Sequence, residues 1–427
     1  MIASRKLSRR DVVAAGAVLL AGCVSPGVVK SRIPFVHRAG SNLLADDRPY
    51  RFAGTNMWYA AYLGANDRQR LVRELDRLTA LGVTNIRILG SSELSPLKNS
   101  VTPAFRTQSR DYNEILLRGL DFTLAEMGRR GMRAVIYLTN FWEWSGGMMT
   151  YLYWTNGGRY IDMNDPAHPW PEFPDMSSEF YGHDAAVRMF DGYVRAVVGR
   201  RNSVTGRLYR EDQAILSWQL ANEPRPGGSE AAGNWHMKAY LAWIDGTARL
   251  IKSIDPNHMV STGSEGTMGC INSEQCVIDA HSSPSIDYVN AHVWPQNWSW
   301  ADPKDLSGTW PTVEKKARAY IVQQIGIAKR VGKPLVIEEF GMSDPACWPR
   351  RPGPGSGRSA CPPASGGTRT GTCWTTSGRP SPPAPAASTP STAAPARSAT
   401  RPARPGTSTS VPASTCCTTS RTSVTPS

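Results

Sequence analysis

Three segments of the chain share one local pattern, in which a helix ends at a glycine and a short apolar strand follows at once. They are residues 81–88 (LGVTNIRI), 130–137 (RGMRAVIY) and 331–338 (VGKPLVIE). Glycine ends a helix at such a position because it adopts the left-handed backbone conformation without a Cβ clash. A helix that leads directly into a buried strand is typical of repeated βα units, which build a parallel sheet.

The same alternation extends over most of the chain. The predicted strands are 50–56, 83–90, 133–140, 214–222, 258–263, 287–294 and 334–340, and the predicted helices are 67–81, 112–130, 183–200, 234–254 and 312–331. Seven such strands predict an α/β protein, a (β/α)8 TIM barrel whose last βα unit is missing or garbled. The alternative is a doubly wound open sheet, which is less favoured because no glycine-rich phosphate loop follows the first strand.

The positive charge of the chain is concentrated at its two ends. The formal net charge is +13, of which residues 351–427 contribute eight arginines with no acidic residue, and residues 1–23 contribute +3. Residues 24–350 therefore carry only about +2 in total, too little for the basic surface that nucleic-acid binding requires. We expect no nucleic-acid partner.

The N-terminus has the features of an export signal. Arg9 and Arg10 begin a twin-arginine-like motif, an apolar stretch follows, and Leu20-Ala21-Gly22-Cys23 resembles a bacterial lipobox with Cys23 as the lipid attachment site. A plain signal peptide cleaved nearby is the alternative. We predict an exported, extracytoplasmic protein that touches the membrane only through this anchor. The predicted segments are an export signal over 1–23, a linker over 24–45, a catalytic barrel over 46–346 and a low-complexity tail over 347–427.

The tail differs from the rest of the chain in composition. Residues 351–427 contain only Arg, Pro, Gly, Ser, Ala, Cys, Thr, Trp and Val, and therefore offer almost nothing to bury. Such a segment cannot offset the entropy that ordering it would cost. The residue set is what GC-rich codons give in a wrong reading frame, so we favour a frameshift near residue 350. A natural disordered tail is the alternative.

Two apolar runs end in carboxylates, and they predict the chemistry. Residues 217–224 (SWQLANEP) carry Glu223, and residues 334–341 (PLVIEEFG) carry Glu338 and Glu339. Carboxylates at the C-terminal tips of barrel strands lie where such enzymes place their active sites. Two of them can cleave a glycosidic bond, one as an acid and one as a nucleophile or base. Glu338 competes with Glu339, because adjacent residues of a strand face opposite ways.

These strings resemble glycoside hydrolase family 5. The resemblance rests on Asn222-Glu223, on residues 292–295 (HVWP) and 337–341 (IEEFG), and on Arg87. Residues 52–59 (FAGTNMWY), 138–144 (LTNFWEW), 261–266 (STGSEG) and 294–298 (WPQNW) are similar to the endo-β-1,4-mannanases of that family, and the likeness covers roughly residues 45–345.

The resemblance implies that Glu223 is the general acid/base and Glu339 the nucleophile. Arg87 would orient and ionise the nucleophile, and Asn222 would hold the sugar 2-hydroxyl. His292 corresponds to a histidine near the acid/base. Trp294 stands where many relatives have tyrosine, so we expect it to stack on sugar or to donate its indole N–H.

Other residues are candidates for substrate contacts and for stabilisation. Aromatic faces floor sugar subsites, and Trp58, Tyr59, Trp142 and Trp298 follow predicted strands, as does Glu265. Export permits a disulfide, and Cys270 and Cys276 lie close enough in one loop to form it. No cysteine or histidine cluster has zinc-ligand spacing, so we expect neither metal nor cofactor. No strand after residue 345 supplies the tryptophan that floors the central subsite in relatives.

The sequence therefore predicts a monomeric, retaining endo-β-1,4-mannanase acting on β-mannan, glucomannan or galactomannan. One alternative is another family 5 β-glycanase, such as an endoglucanase. The other is an inactive sugar-binding relative, because the chain lacks its last βα unit.

Overall fold

Seven parallel strands separated by helices form the body of the protein. The computed structural model describes residues 34–109 and 111–341, and the backbone alone of 374–375, 416–417 and 419–421. The predicted export signal with Cys23 and most of the predicted tail lie outside these residues. Within the described part of the chain, no helix combines the length and the apolar character that a membrane span requires.

The elements follow the predicted alternation. The strands are β1 (Val36–Ala39), β2 (Asn42–Ala45), β3 (Arg48–Pro49), β4 (Ala53–Asn56), β5 (Asn85–Leu89), β6 (Arg133–Tyr137), β7 (Ile215–Gln219), β8 (Met259–Ser261), β9 (Val289–Val293), β10 (Leu335–Phe340), β11 (Trp374–Thr375), β12 (Cys416–Cys417) and β13 (Thr419–Arg421). The helices are α1 (Ala60–Asn66), α2 (Arg68–Ala80), α3 (Glu114–Arg129), α4 (Gly147–Thr155), α5 (Glu172–Ser177), α6 (Asp184–Val198), α7 (Glu230–Ile254), α8 (Glu274–Ser282) and α9 (Leu306–Val331).

The order of the strands is that of a barrel. β4, β5, β6, β7 and β8 pair in parallel in the order of the chain, and β9 pairs in parallel with β10. A doubly wound sheet reverses direction at a switch point, and no such reversal occurs from β4 to β8. All seven predicted strands form, and the predicted α/β barrel class is confirmed.

The two groups of strands adjoin through hydrogen bonds beyond the regular ladders. The backbone N–H of Asp287, just before β9, donates to Val260 O on β8 at 2.7 Å. On the other side, the Asn56 amide at the end of β4 donates to Glu338 O on β10 at 2.9 Å. The interior is therefore lined by side chains from all seven strands.

No parallel eighth strand joins β10 to β4 in the described residues. β13 pairs with β4 instead, and it runs antiparallel. The three short strands β11, β12 and β13 are the only regular structure described in the predicted tail. A three-residue antiparallel strand does not replace the βα unit that completes a (β/α)8 barrel.

A small antiparallel sheet covers the N-terminal end of the barrel. Val36 on β1 and Leu43 on β2 pack in one apolar cluster with residues near the starts of barrel strands, among them Leu216, Met259 and Val336. Residues 36–45 were predicted as part of a linker, but their alternating apolar side chains build a hairpin. This hairpin buries the lower barrel core, so the folded unit begins before residue 46.

The helices pack closely on the outside of the barrel, and the crossing of α1 with α3 shows how. A Cβ on Gly64 would lie 2.1 Å from Gly119 O, and a Cβ on Gly119 would lie 2.2 Å from Ala61 O. Only glycine allows the two helix backbones to approach this closely. At the C-terminal end of the barrel, the long segment between β6 and α6 carries α4 and α5 and places aromatic side chains over the interior.

The open position between β10 and β4 leads to a prediction about the tail. If residues after about 350 are translated out of frame, another frame of the same DNA encodes an apolar strand ending in tryptophan, followed by a helix. The restored protein should unfold at a temperature at least about 5 °C higher, because the added strand buries apolar side chains and pairs in parallel with both β10 and β4. Calorimetry of the given chain, the restored chain and a chain ending at residue 350 measures this. Equal unfolding temperatures for all three would contradict the frameshift hypothesis.

Candidate active site

Charged and amide side chains meet inside the C-terminal end of the barrel. Arg87 comes from β5, Glu223 from the segment after β7, His292 from β9, and Glu339 from β10. The C-terminal ends of parallel strands lie at one end of a barrel, so residues distant in sequence come together there. All four side chains are at least largely buried.

The backbone at Glu223 adopts an unusual conformation. Its φ is +51°, in the left-handed region that non-glycine residues rarely occupy. Its N–H donates to Gly263 O at 2.9 Å, and a Cβ on Gly263 would lie only 1.9 Å from Ala221 O. The close approach of the segments that follow β7 and β8 therefore requires glycine at 263. It holds Glu223 in a conformation that turns its side chain into the barrel.

Two donors hold the Glu223 carboxylate. The Trp142 indole N–H donates to Oε2 at 2.5 Å, and His292 Nδ1 lies 2.7 Å from Oε1. Burial by itself favours the neutral acid, but the hydrogen bond and charge of His292 outweigh it and lower the pKa of Glu223 below its usual value. In the site as it stands, Glu223 and His292 form an ion pair that holds one proton between them.

A β-bulge directs both carboxylates of β10 into the barrel. Ile337 pairs with Ala291 and Glu339 pairs with His292, so the ladder skips Glu338. The expectation that Glu338 and Glu339 face opposite ways is wrong, because a bulge adds one residue to the strand and breaks the alternation. The two side chains lie at different depths. Glu338 is buried deeper, and both of its oxygens are 2.6 Å from Gln219 Nε2.

Arg87 is the centre of the hydrogen-bond network. Its guanidinium donates to Gln219 Oε1 at 2.7 Å, to Asn222 Oδ1 at 2.9 Å, and to Glu339 Oε1. Burial disfavours a charged guanidinium, but Glu339 and Glu338 outweigh this effect and raise the pKa of Arg87. Arg87 is thus a fixed cation that orients the nucleophile candidate and the neighbouring amides.

His292 and Trp294 complete the surroundings of Glu339. The Trp294 indole N–H donates to Glu339 Oε2 at 3.0 Å, and His292 Nδ1 lies 3.4 Å from the same oxygen. Burial lowers the pKa of His292, but Glu339, Glu223 and Glu338 together raise it to about 10. The imidazole is therefore protonated at neutral pH, and its cation lies between the carboxylates of Glu223 and Glu339.

The geometry fits a carboxylate pair better than a metal centre. One ligand atom from each of Glu223, His292 and Glu339 lies within 4.8 Å of the other two, which is the only such group in the described part of the chain. The oxygens of Glu223 and Glu339 already accept hydrogen bonds from Trp142, Arg87 and Trp294, so they are engaged by protein donors. The short separation between the two carboxylates matches that of retaining glycosidases, in which it is about 5–5.5 Å.

Trp142 lies at the edge of the site in an aromatic stack. Its ring is 6.3 Å from the rings of both Trp170 and Phe173, and the Arg225 guanidinium lies 4.8 Å above it. Arg225 in turn donates to Glu265 Oε2 at 2.6 Å. Burial raises the pKa of Glu265 to about 7, although Arg225 opposes the shift. The arrangement places an indole ring beside an arginine–glutamate pair, which are the kinds of aromatic and polar groups that line sugar subsites.

The other predicted substrate residues are less closely joined to the carboxylates. Trp58 follows β4, and its ring centroid lies 5.7 Å from that of Trp144, which follows β6. Trp298 packs against Tyr320 of α9. The Tyr59 hydroxyl donates to Glu74 on α2, so its polar end is directed away from the carboxylates. Away from the site, the predicted pair Cys270 and Cys276 forms a disulfide.

Several functional candidates were not identified from the sequence. Gln219 accepts a hydrogen bond from Arg87. Asn140 Oδ1 accepts one from the Asn222 amide at 3.0 Å and so orients the side chain of Asn222 beside Arg87. Arg225 lies two residues after Glu223, directly after the string at residues 217–224, and this position could have identified it as a candidate site residue. Trp170 gave no usable signal, because it lies about 30 residues beyond β6 in a long irregular segment.

Comparisons with known proteins agree with this geometry. Residues 33–348 match the family model described as GH family 5 beta-mannosidase-like. A solved family 5 mannosidase from Rhizomucor miehei is 32% identical, covers 73% of this chain and 74% of its own, and superposes with a TM-score of 0.66. The endo-1,4-beta-mannanase of the same organism is 26% identical over 73% and 83% of the two chains, with a TM-score of 0.56. The mannan endo-1,4-beta-mannosidase 1 of Arabidopsis thaliana is 28% identical over 72% of each chain.

The contact of Glu338 with His292 leads to a prediction about protonation. Glu338 Oε2 lies 3.9 Å from His292 Nε2, so Glu338→Gln should lower the pKa of His292 from about 10 by at least about one unit. NMR titration of the imidazole measures this, with the exposed Glu314→Gln on α9 as control.

The free energy of unfolding should also depend on the protonation of His292. The pKa of His292 is higher in the folded protein than in the unfolded chain, so protonation of His292 stabilises the fold. This stabilisation is complete below about pH 6.5 and is lost as the pH rises towards about 10. Denaturant unfolding between these pH values should therefore show falling stability, with a smaller fall in Glu338→Gln. An unchanged imidazole titration in that variant would refute the coupling.

Proposed function

Because the chain belongs to glycoside hydrolase family 5, in the β-mannosidase-like group, we propose that it is a retaining endo-β-1,4-mannanase. The observation that carries the proposal is the separation of at most 4.8 Å between an oxygen of Glu223 and one of Glu339. This spacing leaves no room for a water between the carboxylates and the sugar, so it favours direct attack by a carboxylate.

Glu339 is the proposed nucleophile. Its two oxygens accept hydrogen bonds from Arg87 and Trp294, which orient it. One of its oxygens attacks the anomeric carbon and forms a glycosyl ester while the glycosidic C–O bond breaks. Glu338 does not suit this role, because both of its oxygens are held by Gln219 below the site.

Glu223 is the proposed acid and base. The ion pair with His292 holds one proton, and transfer of that proton within the 2.7 Å hydrogen bond makes Glu223 the acid that protonates the leaving oxygen. When Glu339 becomes an ester, the site loses one negative charge, which favours ionised Glu223 further. Glu223 can therefore take a proton from the water that cleaves the ester.

The substrate class rests on the relatives and on the aromatic residues. The names of the relatives refer to mannan and to mannosidase activity. Trp142 at Glu223, with Arg225 and Glu265 beside it, supports binding of a sugar next to the scissile bond. We extend this to β-mannan, glucomannan or galactomannan. An endoglucanase-like β-glycanase and an inactive sugar-binding relative have less support.

A mannosidase acting on short β-mannosides is a second candidate. The Rhizomucor miehei mannosidase is more similar to this chain than the endo-mannanase of that organism, in both identity and TM-score. A variant of that mannosidase was solved in complex with mannosyl-fructose, a short substrate-like molecule. The two candidates share the catalytic chemistry and differ in the length of chain that the site accepts.

We also propose that the protein is exported, anchored by a lipid on Cys23, and monomeric. The twin-arginine-like motif and the lipobox-like string are the support for export and anchoring. The disulfide between Cys270 and Cys276 is compatible with an oxidising compartment.

Removal of either carboxylate should abolish hydrolysis. Glu223→Gln and Glu339→Gln should each lower kcat/KM on mannan by about 10³-fold or more, because neither the acid nor the nucleophile has a substitute. Reducing-sugar release measures the rates, and circular dichroism checks the fold. The matched control is Glu314→Gln, an exposed ion-pair residue on α9. Parental turnover in either carboxylate variant would disprove the assignment.

The products should identify both the mechanism and the chain-length preference. Proton NMR of the earliest products should show the β-anomer, since double displacement retains configuration. Chromatography should show oligosaccharides of two or more units from mannan, with little mannose. An initial α-anomer would exclude the retaining mechanism, and release of mannose alone would favour the mannosidase candidate.

A further inference from the structure

A tryptophan on the surface near the C-terminal end of the barrel has no role in the site described above. Trp235, on α7, has 83% of its surface exposed, more than any other large apolar side chain in the described part of the chain. A tryptophan side chain exposes a large apolar area to water at this position. An exposed aromatic face beside a cavity is a surface on which a ligand can stack.

A surface cavity lies next to this indole. Its apolar lining includes Trp235, Ile161 and Met176, and its polar lining includes Glu179 and His236. Burial lowers the pKa of His236, against the opposing effect of nearby carboxylates, so the imidazole is neutral at neutral pH. A neutral imidazole both donates and accepts a hydrogen bond, as a sugar hydroxyl does.

The cavity adjoins the candidate active site through one loop. The segment from Arg225 to Ser229 joins the site to α7, and Asp175 Oδ1, which also belongs to the cavity lining, accepts from the N–H groups of Gly228 and Ser229 at 2.8 Å each. Trp170, which lies with Asp175 in the long segment between β6 and α6, stacks on Trp142. The cavity and the carboxylates therefore lie on the same end of the barrel.

We propose that this cavity, formed by the residues around Trp235, is a second carbohydrate-binding site that holds β-1,4-linked mannosyl units of a polysaccharide away from the bond being cleaved. The proposal rests on the proposed function for the identity of the sugar. The indole face suits the C–H face of a pyranose, and the polar groups at the rim suit its hydroxyls.

The charges around the cavity favour a neutral ligand. Arg159 is a cation, while Asp175 and Glu179 are anions, and Asp175 is already engaged by two backbone N–H groups. Neither sign dominates the rim, in contrast to the one-signed surface that binds nucleic acid or anionic lipid. β-Mannan, glucomannan and galactomannan carry no charge and match this mixed rim.

The test compares Trp235→Ala with Trp310→Ala, which removes another exposed tryptophan, on α9, away from the cavity. Adsorption to insoluble mannan and mobility in gels containing glucomannan measure binding to long chains. Trp235→Ala should bind these about three- to tenfold more weakly, because it loses one aromatic stacking surface. Its kcat/KM on mannotriose should equal that of the parent, because the residues that line the cavity are not those that surround Glu223 and Glu339.

Other results would overturn the proposal. Parental adsorption of Trp235→Ala would do so, as would an equal loss in Trp310→Ala, which would indicate non-specific contact. A change of oligomeric state in Trp235→Ala on size-exclusion chromatography would assign the face to self-association instead. If the parent binds mannan without cleaving it while Trp235→Ala binds weakly, the proposed catalysis fails and the second site stands.

Discussion

The arrangement of the site depends on the buried guanidinium of Arg87. It joins Gln219, Asn222 and Glu339, which come from the segments around β7 and from β10. A buried charge is tolerated only when it is paired and hydrogen-bonded, so Arg87 and its partners fix one another. Loss of one partner from such a pair typically costs about 3–5 kcal/mol, because the other charge remains buried alone. The catalytic geometry and local stability therefore have the same origin.

The β-bulge in β10 determines the charge balance around Arg87. It brings Glu338 and Glu339 to the same side, so three carboxylates, including Glu223, face two cations, Arg87 and His292. Glu338 also orients the amide of Gln219, whose oxygen then accepts from Arg87. In this way a carboxylate below the site helps to position Glu339, the proposed nucleophile.

The barrel is covered at one end and incomplete at one position. The hairpin of β1 and β2 buries the lower core, while β13 is the only described strand that pairs with the outer edge of β4, and it is antiparallel. The site is built from residues of β5, β7, β9 and β10, and the described part of the chain contains all of them. What a complete eighth unit would add is parallel pairing with both β10 and β4 and a further wall for the sugar.

The class of fold, the seven strands and the main carboxylates could be predicted from the amino-acid sequence. These features depend on local signals, because helix–glycine–strand joins recur along the chain and the two carboxylates lie in short motifs at strand ends. The hairpin over 36–45 was missed because each strand has only four residues and its partner surface is formed by distant strands. Tertiary structure alone decided that Glu338 faces inwards, that Gln219 links it to Arg87, and that Trp142 donates to Glu223. A bulge and a contact across 81 residues depend on the three-dimensional packing of strands and loops, which no local sequence pattern specifies.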